Sequence, residues 1–379
     1  MNTTIPPHSA CAAAVRCGQS RYGSQFMHGT PAPSATESRP RLYLTLGDVA
    51  GIGPEIICKA WMRSDLHAIC RPIVVGDAAR VRQTLGWLGL KAAVVDATGP
   101  DGWEVATPER IVCHCVPGQD LSEVPLGQID ARAGRAAYNC LVAAIGLTLR
   151  GRADAIVTAP LHKEALHAAG IHFPGHTEIL AEETGTKQFA MMLYGEGIGV
   201  AHVTLHVGLR QIFPLLTVEN VLEKIRLTHD FLLRLRGAAP KIGVCSLNPH
   251  AGEGGLFGDE EARIIAPAVA RAKADGIGAS GPWPSDTLFG RARQGEFQGV
   301  VAMYHDQGHI AMKLLAGLKA VNVSLGLPLI RTSVAHGTAF DIAPRFRADP
   351  ESLLEAVRVA VKLCQAGIPA ALASAHPSR

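Results

Sequence analysis

Three histidines stand in turn-forming punctuation: His250 in NPHAGEGG (248–255), His305 in YHDQG (304–308) and His336 in LPLIRTSVAHGTAFD (327–341). Each follows a short apolar, β-prone run, so each falls where a loop leaves a strand. Loops hung on a rigid sheet are where ligands and catalytic groups concentrate. His206 in TLHVGL (204–209) ends another such run, and His176 with Thr177 in PGHTE (174–178) precedes an expected helix. Imidazoles from the ends of different strands can meet around one cation, and open α/β sheets permit such a site. The chain holds sixteen histidines, so spacing alone does not select the ligands; a loop histidine, or a Thr177 helix cap, accounts for the same residues.

Lys313, Asn322 and Arg331 follow in the same region. An ammonium, an amide and a guanidinium suit a phosphate or a carboxylate, the guanidinium through its paired donors. A solvated surface is the alternative for the two cations. The compact polar turn AHGTAFD (335–341) suits the adenosine half of a nucleotide. GDVAGIGPE (47–55) joins a strand to a helix start, and its glycines would let backbone approach an anion at a helix N-terminus. It lacks the G-x-G-x-x-G spacing, and a structural turn is the favoured reading. Cys113 and Cys115 flank His114, but RIVCHCV alternates as a strand does. That alternation sets both thiols on one face and the imidazole on the other, against a metal clip.

The elements that must position these groups begin at Arg41. Segments 42–46, 72–75, 92–95, 111–115, 155–158, 189–194, 199–206, 241–247 and 300–304 read as strands. Segments starting at Pro54, and 77–88, 131–150, 217–235, 259–274 and 353–364, read as helices, with Pro54 and Thr217 as start signals. Strands alternating with helices over this length predict an α/β fold with a largely parallel sheet. Residues 1–40, rich in Ser, Ala, Pro, Gly and Thr without a period, read as a disordered tail, with Met27 as an alternative start.

Composition excludes several classes. Apolar residues at 47% and charged ones at 18% describe a soluble globular protein. A net charge of +3, with aromatics at 5%, carries no nucleic-acid footprint. No apolar run reaches spanning length, so no membrane partner is expected. Nine cysteines without framework spacing fit reduced thiols in the cytoplasm.

Eight motifs in order, GDVAGIGPE, PGHTE, TLHVGL, LNPHAGEGG, PSDTLF, MYHDQG, GLPLIRTS and HGTAFDIA, make the sequence strongly resemble the 4-hydroxythreonine-4-phosphate dehydrogenase (PdxA) family over roughly 42–363. The resemblance implies an isocitrate/isopropylmalate-dehydrogenase-like fold: two interleaved α/β lobes within 41–379 around a cleft, in a homodimer with its active site near the interface. It implies a divalent metal on His206, His250 and His305, and substrate contacts from His176, Thr177, Lys313, Asn322 and Arg331. It makes His336, Gly337, Thr338 and Asp341 part of a site for NAD or NADP. Nitrogen ligation suits Zn, Co, Ni or Mn better than Mg. The implied reaction oxidises the secondary hydroxyl of 4-phosphooxy-L-threonine and decarboxylates the keto acid, in pyridoxal 5′-phosphate biosynthesis. Asp306 and Lys163 are the candidate proton acceptors; Asp306 can instead orient a metal-bound imidazole.

Three departures bear on substrate. Val49 stands for the usual proline of GDPAGIG, Ala335 for the usual aspartate of RTSVDHGTA, and Pro344 and Arg345 where GKG commonly follows DIAG. D-threonate or D-erythronate 4-phosphate and a terephthalate cis-dihydrodiol are therefore alternative substrates. A phosphotransacetylase-like transferase and a non-catalytic binding protein are more distant alternatives.

Overall fold

Runs of Val, Ile, Leu and Ala too short for helices become strands buried on both faces, the habit of a parallel sheet covered by helices. The computed structural model describes residues 39–97, 106–118 and 121–367. The strands are β1 (Arg41–Thr45), β2 (Arg71–Gly76), β3 (Ala93–Ala97), β4 (Arg110–Cys115), β5 (Ala155–Thr158) and β6 (Ala190–Gly195). They continue with β7 (Ile198–His202), β8 (Ile242–Cys245), β9 (Ala279–Trp283), β10 (Gly299–Ala302), β11 (Val321–Leu325) and β12 (Ile330–Val334).

All twelve form one sheet in the order β3-β4-β2-β1-β5-β12-β11-β6-β7-β10-β8-β9. Pairing is parallel except where β11 meets β12 and β6, and where β6 meets β7. The chain reads as α/β in sequence and is α/β in space. One packed core, around Leu44, Ile56 and Val357, reaches from the β1 half across to Met192 and Ala201, and one around Ile73, Ile145 and Ile156 sits on the β1 half. Another surrounds Val200, Val244 and Val300 on the β10 half.

Several helices start where the side chains dictate. Asp77, Asp130 and Thr217 each accept a bond from a first-turn backbone N–H, capping helices Ala78–Leu88, Ala131–Leu149 and Val218–Arg236. Three expectations need correction. β7 ends at His202, not 206: the chain keeps hydrogen bonds from the Val203 and Thr204 N–H groups to Ala302 and Met303 but bends away beyond them. Thr177 is not a cap, because helix His176–Thr184 already begins one residue earlier, after Gly175. The 259–274 helix opens as a π-helical turn, Glu261–Ile265, before the α-helix Ala266–Ala274.

Strands β9 and β11, and helices Lys163–Ala168, Ser285–Arg293 and His305–Ala316, went unread in sequence, and β12 was read only as a β-prone run ahead of His336. The tail, Met27 and Cys11 lie outside the described residues. The cysteines described are free thiols, most of them buried, with Cys113 and Cys115 both in β4. Among the described residues no helix is long and apolar enough to cross a membrane.

Candidate active site

Arg331 lines a cavity of about 420 Å³. It sits mid-strand in β12, 1% exposed, between β5 and β11. Its Nε and Nη2 donate to Thr158 Oγ1 at 3.2 and 2.7 Å, and its Nη1 to Ser324 Oγ at 3.1 Å. These partners are neutral, so the buried charge lacks a close counter-ion. Burial pushes its pKa down to about 9, against the pull of Glu178. Thr177 Oγ1 lies 3.1 Å from the same Ser324 hydroxyl.

Asn322, on β11, donates from Nδ2 to Met191 Sδ at 3.2 Å, while its Oδ1 is buried without a partner. Lys163, His176 and Lys313 complete a basic lining. Burial, and then the Arg331 charge, hold His176 well below the ordinary imidazole range. The lining carries Arg331, Lys163 and Lys313 against the carboxylate of Glu178, a surplus of positive charge suited to a small polyanion.

Imidazoles line the same cavity. His206 and His305 both line the cavity, their ring centroids 6.0 Å apart. His206 is kept below its usual pKa by burial and then by Lys163, which favours the neutral, ligand-competent ring. His305 is the first residue of helix His305–Ala316, after Tyr304. Its Nδ1 lies 2.6 Å from Asp306 Oδ1; with the proton on Nδ1, its Nε2 lone pair is left free. His309, one turn on, stacks against His305 at 3.7 Å and sets its Nδ1 3.1 Å from Nε2 of the buried His202. Gln307 ties the helix start down: its Oε1 accepts from the Met303 N–H, and its Nε2 donates to Ser246 O.

The expected residues divide. His176, Thr177, Lys313, Asn322, Arg331, Lys163, His206, His305, His336 and Gly337 all line the cavity. His250 does not. It lies in a left-handed run, His250 φ 52°, Ala251 φ 57° and Glu253 φ 44°, and is exposed. Non-glycine residues held there are strained, a cost found mostly at functional sites. Glu261 fastens the base of that loop by accepting the Leu247 and Asn248 N–H groups at 2.8 and 2.7 Å. Among the described residues of this one chain, no group of three or more His, Cys, Asp or Glu is disposed to hold a metal ion.

Asp306 faces His305 rather than the cavity, and Thr338 and Asp341 lie off its wall. Thr338 instead accepts the Ile52 N–H, bracing the GDVAGIG turn. That turn is structural: a Cβ on Gly47 would stand 2.2 Å from Pro160 O, and one on Gly51 2.7 Å from Thr338 O. It therefore positions the loops on both sides of the cavity. Asp48, buried within it, is pushed up to about 6 by burial, against a bond from the Ala50 N–H. Thr158, Ser324, Glu178, His202 and His309 were missed in sequence; only the i,i+4 spacing of His305 and His309 offered a signal.

Comparison with known proteins fits this geometry. Residues 68–360 match the family described as "Pyridoxal phosphate biosynthetic protein PdxA". A 4-hydroxythreonine-4-phosphate dehydrogenase of Beijerinckia indica is 46% identical over 333 residues, covering 85% of this chain and 94% of that protein. A D-threonate 4-phosphate dehydrogenase of Cupriavidus necator is also 46% identical, over 328 residues, covering 86% and 97%. The crystal structure of a 4-hydroxythreonine-4-phosphate dehydrogenase from Klebsiella pneumoniae superposes with a TM-score of 0.77 at 43% identity, over 86% of this chain and all of that one. Matched over 68–360 and more than 40% identical to these relatives across most of its length, the chain belongs to the PdxA family of dehydrogenases.

Proposed function

We propose that the chain is a metal-dependent, NAD(P)-linked dehydrogenase of a 3-hydroxy-4-phosphooxybutanoate, with 4-phosphooxy-L-threonine as substrate, acting as a cytoplasmic homodimer in pyridoxal 5′-phosphate biosynthesis. One observation carries it: the buried Arg331 and the imidazoles of His206 and His305 line one cavity.

The residues fit a divalent cation. His206 is held toward its neutral form, and the Nδ1 contact of His305 with Asp306 leaves Nε2 for coordination. Zn fits this nitrogen-rich set best. The third expected ligand, His250, belongs on this reading to a second copy of the chain. Helix His305–Ala316 supports a dimer: Gly308, Met312 and Ala316 are buried on one face, yet Ile310 and Leu314 on the other are 59% and 82% exposed. A helix apolar on both faces needs a cover. We read the cores on the two halves of the sheet as lobes flanking the cavity.

When bound, the cation supplies Lewis acidity toward a hydroxyl and the carbonyl it becomes. Arg331, Lys313, His176, Thr177 and Asn322 hold the phosphate and carboxylate and so orient the carbon that reacts. Lys163, on the cavity wall, takes the proton of the 3-hydroxyl, and the His336–Gly337 turn would hold the nicotinamide cofactor, which when bound would supply the hydride acceptor for C3. The C1–C2 bond of the resulting β-keto acid then breaks, carbon dioxide departs, and C2 takes up a proton. Asp306 acts by orienting His305.

D-threonate 4-phosphate is the second reading, favoured by Ala335. Its methyl group lines the cavity where the family usually has an aspartate, leaving one carboxylate fewer for an ammonium group. The test is NADH formation with both compounds, zinc added back, beside metal analysis of His206→Ala and His305→Ala. Both variants should keep the fold and lose zinc and turnover together. A fully active variant without metal would sink the reading.

A further inference from the structure

The contact that Asp306 offers His305 is a weak tether. The His305 side chain is 37% exposed and that of Asp306, facing its Nδ1, is 69% exposed. A pair of solvated groups contributes little to holding a ring in place. A firmer support stands one helical turn on. Positions 305 and 309 share a helix face, and their imidazoles stack with centroids 3.7 Å apart and planes 13° from parallel.

His309 is in turn fastened to the sheet. Its Nδ1 lies 3.1 Å from Nε2 of His202 and 3.3 Å from the His305 carbonyl oxygen. A carbonyl can only accept, so the proton belongs on His309 Nδ1, which donates to His202 Nε2. The His202 and His309 ring centroids are 4.6 Å apart. His202 is 1% exposed and ends β7, between β6 and β10 and opposite Ala302. Gly308 is what allows the approach, since a Cβ there would stand 2.4 Å from His202 Nε2. Three imidazoles thus form a ladder of falling exposure, from His305 through the half-buried His309 to the buried His202.

We infer that His309 is a positioning residue for the metal site: anchored to His202, it presents a flat ring face that fixes the orientation of the His305 imidazole. Asp306 sets which nitrogen of His305 carries the proton, and His309 sets the plane in which the Nε2 lone pair points. Groups that orient a ligand ring raise metal affinity without touching the ion. Without the stacked face, the His305 ring would turn about its side-chain bonds, and binding a cation would have to order it. His202 acts one step further back, by holding the ring of His309 against the strand.

This inference rests on the metal-dependent reading above, so the experiment separates the two. Metal-stripped full-length protein is titrated with zinc against a chromophoric chelator, and with cobalt(II) under visible absorption, as wild type, His309→Ala, His309→Asn and His309→Phe. Asparagine keeps an N–H near the place of Nδ1 without the ring, and phenylalanine keeps the ring face without the N–H. His309→Ala and His309→Asn should bind zinc about tenfold more weakly, the lower end of what such supporting groups contribute, and should shift the cobalt bands. His309→Phe should recover most of the affinity and the wild-type spectrum. Circular dichroism of the metal-free proteins checks folding; should His309→Ala not fold, the ordering of His309→Phe above His309→Asn carries the test. Wild-type zinc affinity and cobalt spectrum in His309→Asn, or a His309→Phe no better than it, would overturn the positioning role alone. A wild type that binds neither ion, or whose cobalt spectrum is indifferent to His305→Ala, would overturn this inference together with the metal-dependent reading.

Discussion

Arg331 holds a charge deep in the protein with only hydroxyls as hydrogen-bond partners, an arrangement that costs stability unless an anion visits it. Its sequence context, RTS in an apolar run, reveals the guanidinium but neither its burial nor its partners. Those come from β5 and β11, with Thr158 173 positions away in the chain. His176 feels the same charge. Its folded pKa lies below the unfolded value near 6.5, so the unfolded chain binds the extra proton in that window. The stability it contributes is whole above about pH 6.5 and declines as the pH falls toward the folded value. Metal-free protein should therefore lose melting temperature on going from neutral pH to about pH 5, and His176→Asn should lose less. Parallel slopes for the two proteins would refute this.

Helix His305–Ala316 is the element on which most of the site depends, since it carries His305, His309 and Lys313. Its sequence resembles a turn, because YHDQG is rich in loop formers, and a turn was the expectation. The helix forms because Gln307 pins its first residues and because Gly308 lets it close on β7. A Cβ at 308 would stand 2.4 Å from His202 Nε2 and 2.9 Å from Val200 Cγ1. Gly308→Ala should cost about 1–3 kcal/mol by overpacking. It should also lower kcat and zinc affinity at temperatures where the protein remains folded. Urea unfolding beside metal titration checks both, and an alanine variant with wild-type zinc affinity would show the helix position to be unimportant.

The whole molecule leaves two sets of groups unfinished: His250 on its strained, exposed turn, and the outward apolar stripe of Ile310, Leu314 and Leu318. Leu318 is 62% exposed, so the stripe runs past the helix end. A second copy would answer both needs. Leu314→Asp should yield a folded monomer by sedimentation, with activity reduced by two orders of magnitude or about that, because removing metal-site groups that act as a unit is strongly non-additive. An active Leu314→Asp monomer would show that one chain suffices.

What the order of residues determined by itself was local: α/β alternation, the cap at Thr217, and the polar residues clustered at loop starts. These follow from side-chain period and hydrogen-bonding capacity within a few positions. Only the tertiary structure decided which of those residues share a space. The expected NAD and metal residues divided between cavity wall and support, with Thr338 bracing a turn and Asp306 backing an imidazole. Convergence depends on strand order in a twelve-stranded sheet, where β5 lies beside β12 although far from it in the chain. No spacing in the sequence encodes that neighbourhood, because packing against distant strands creates it.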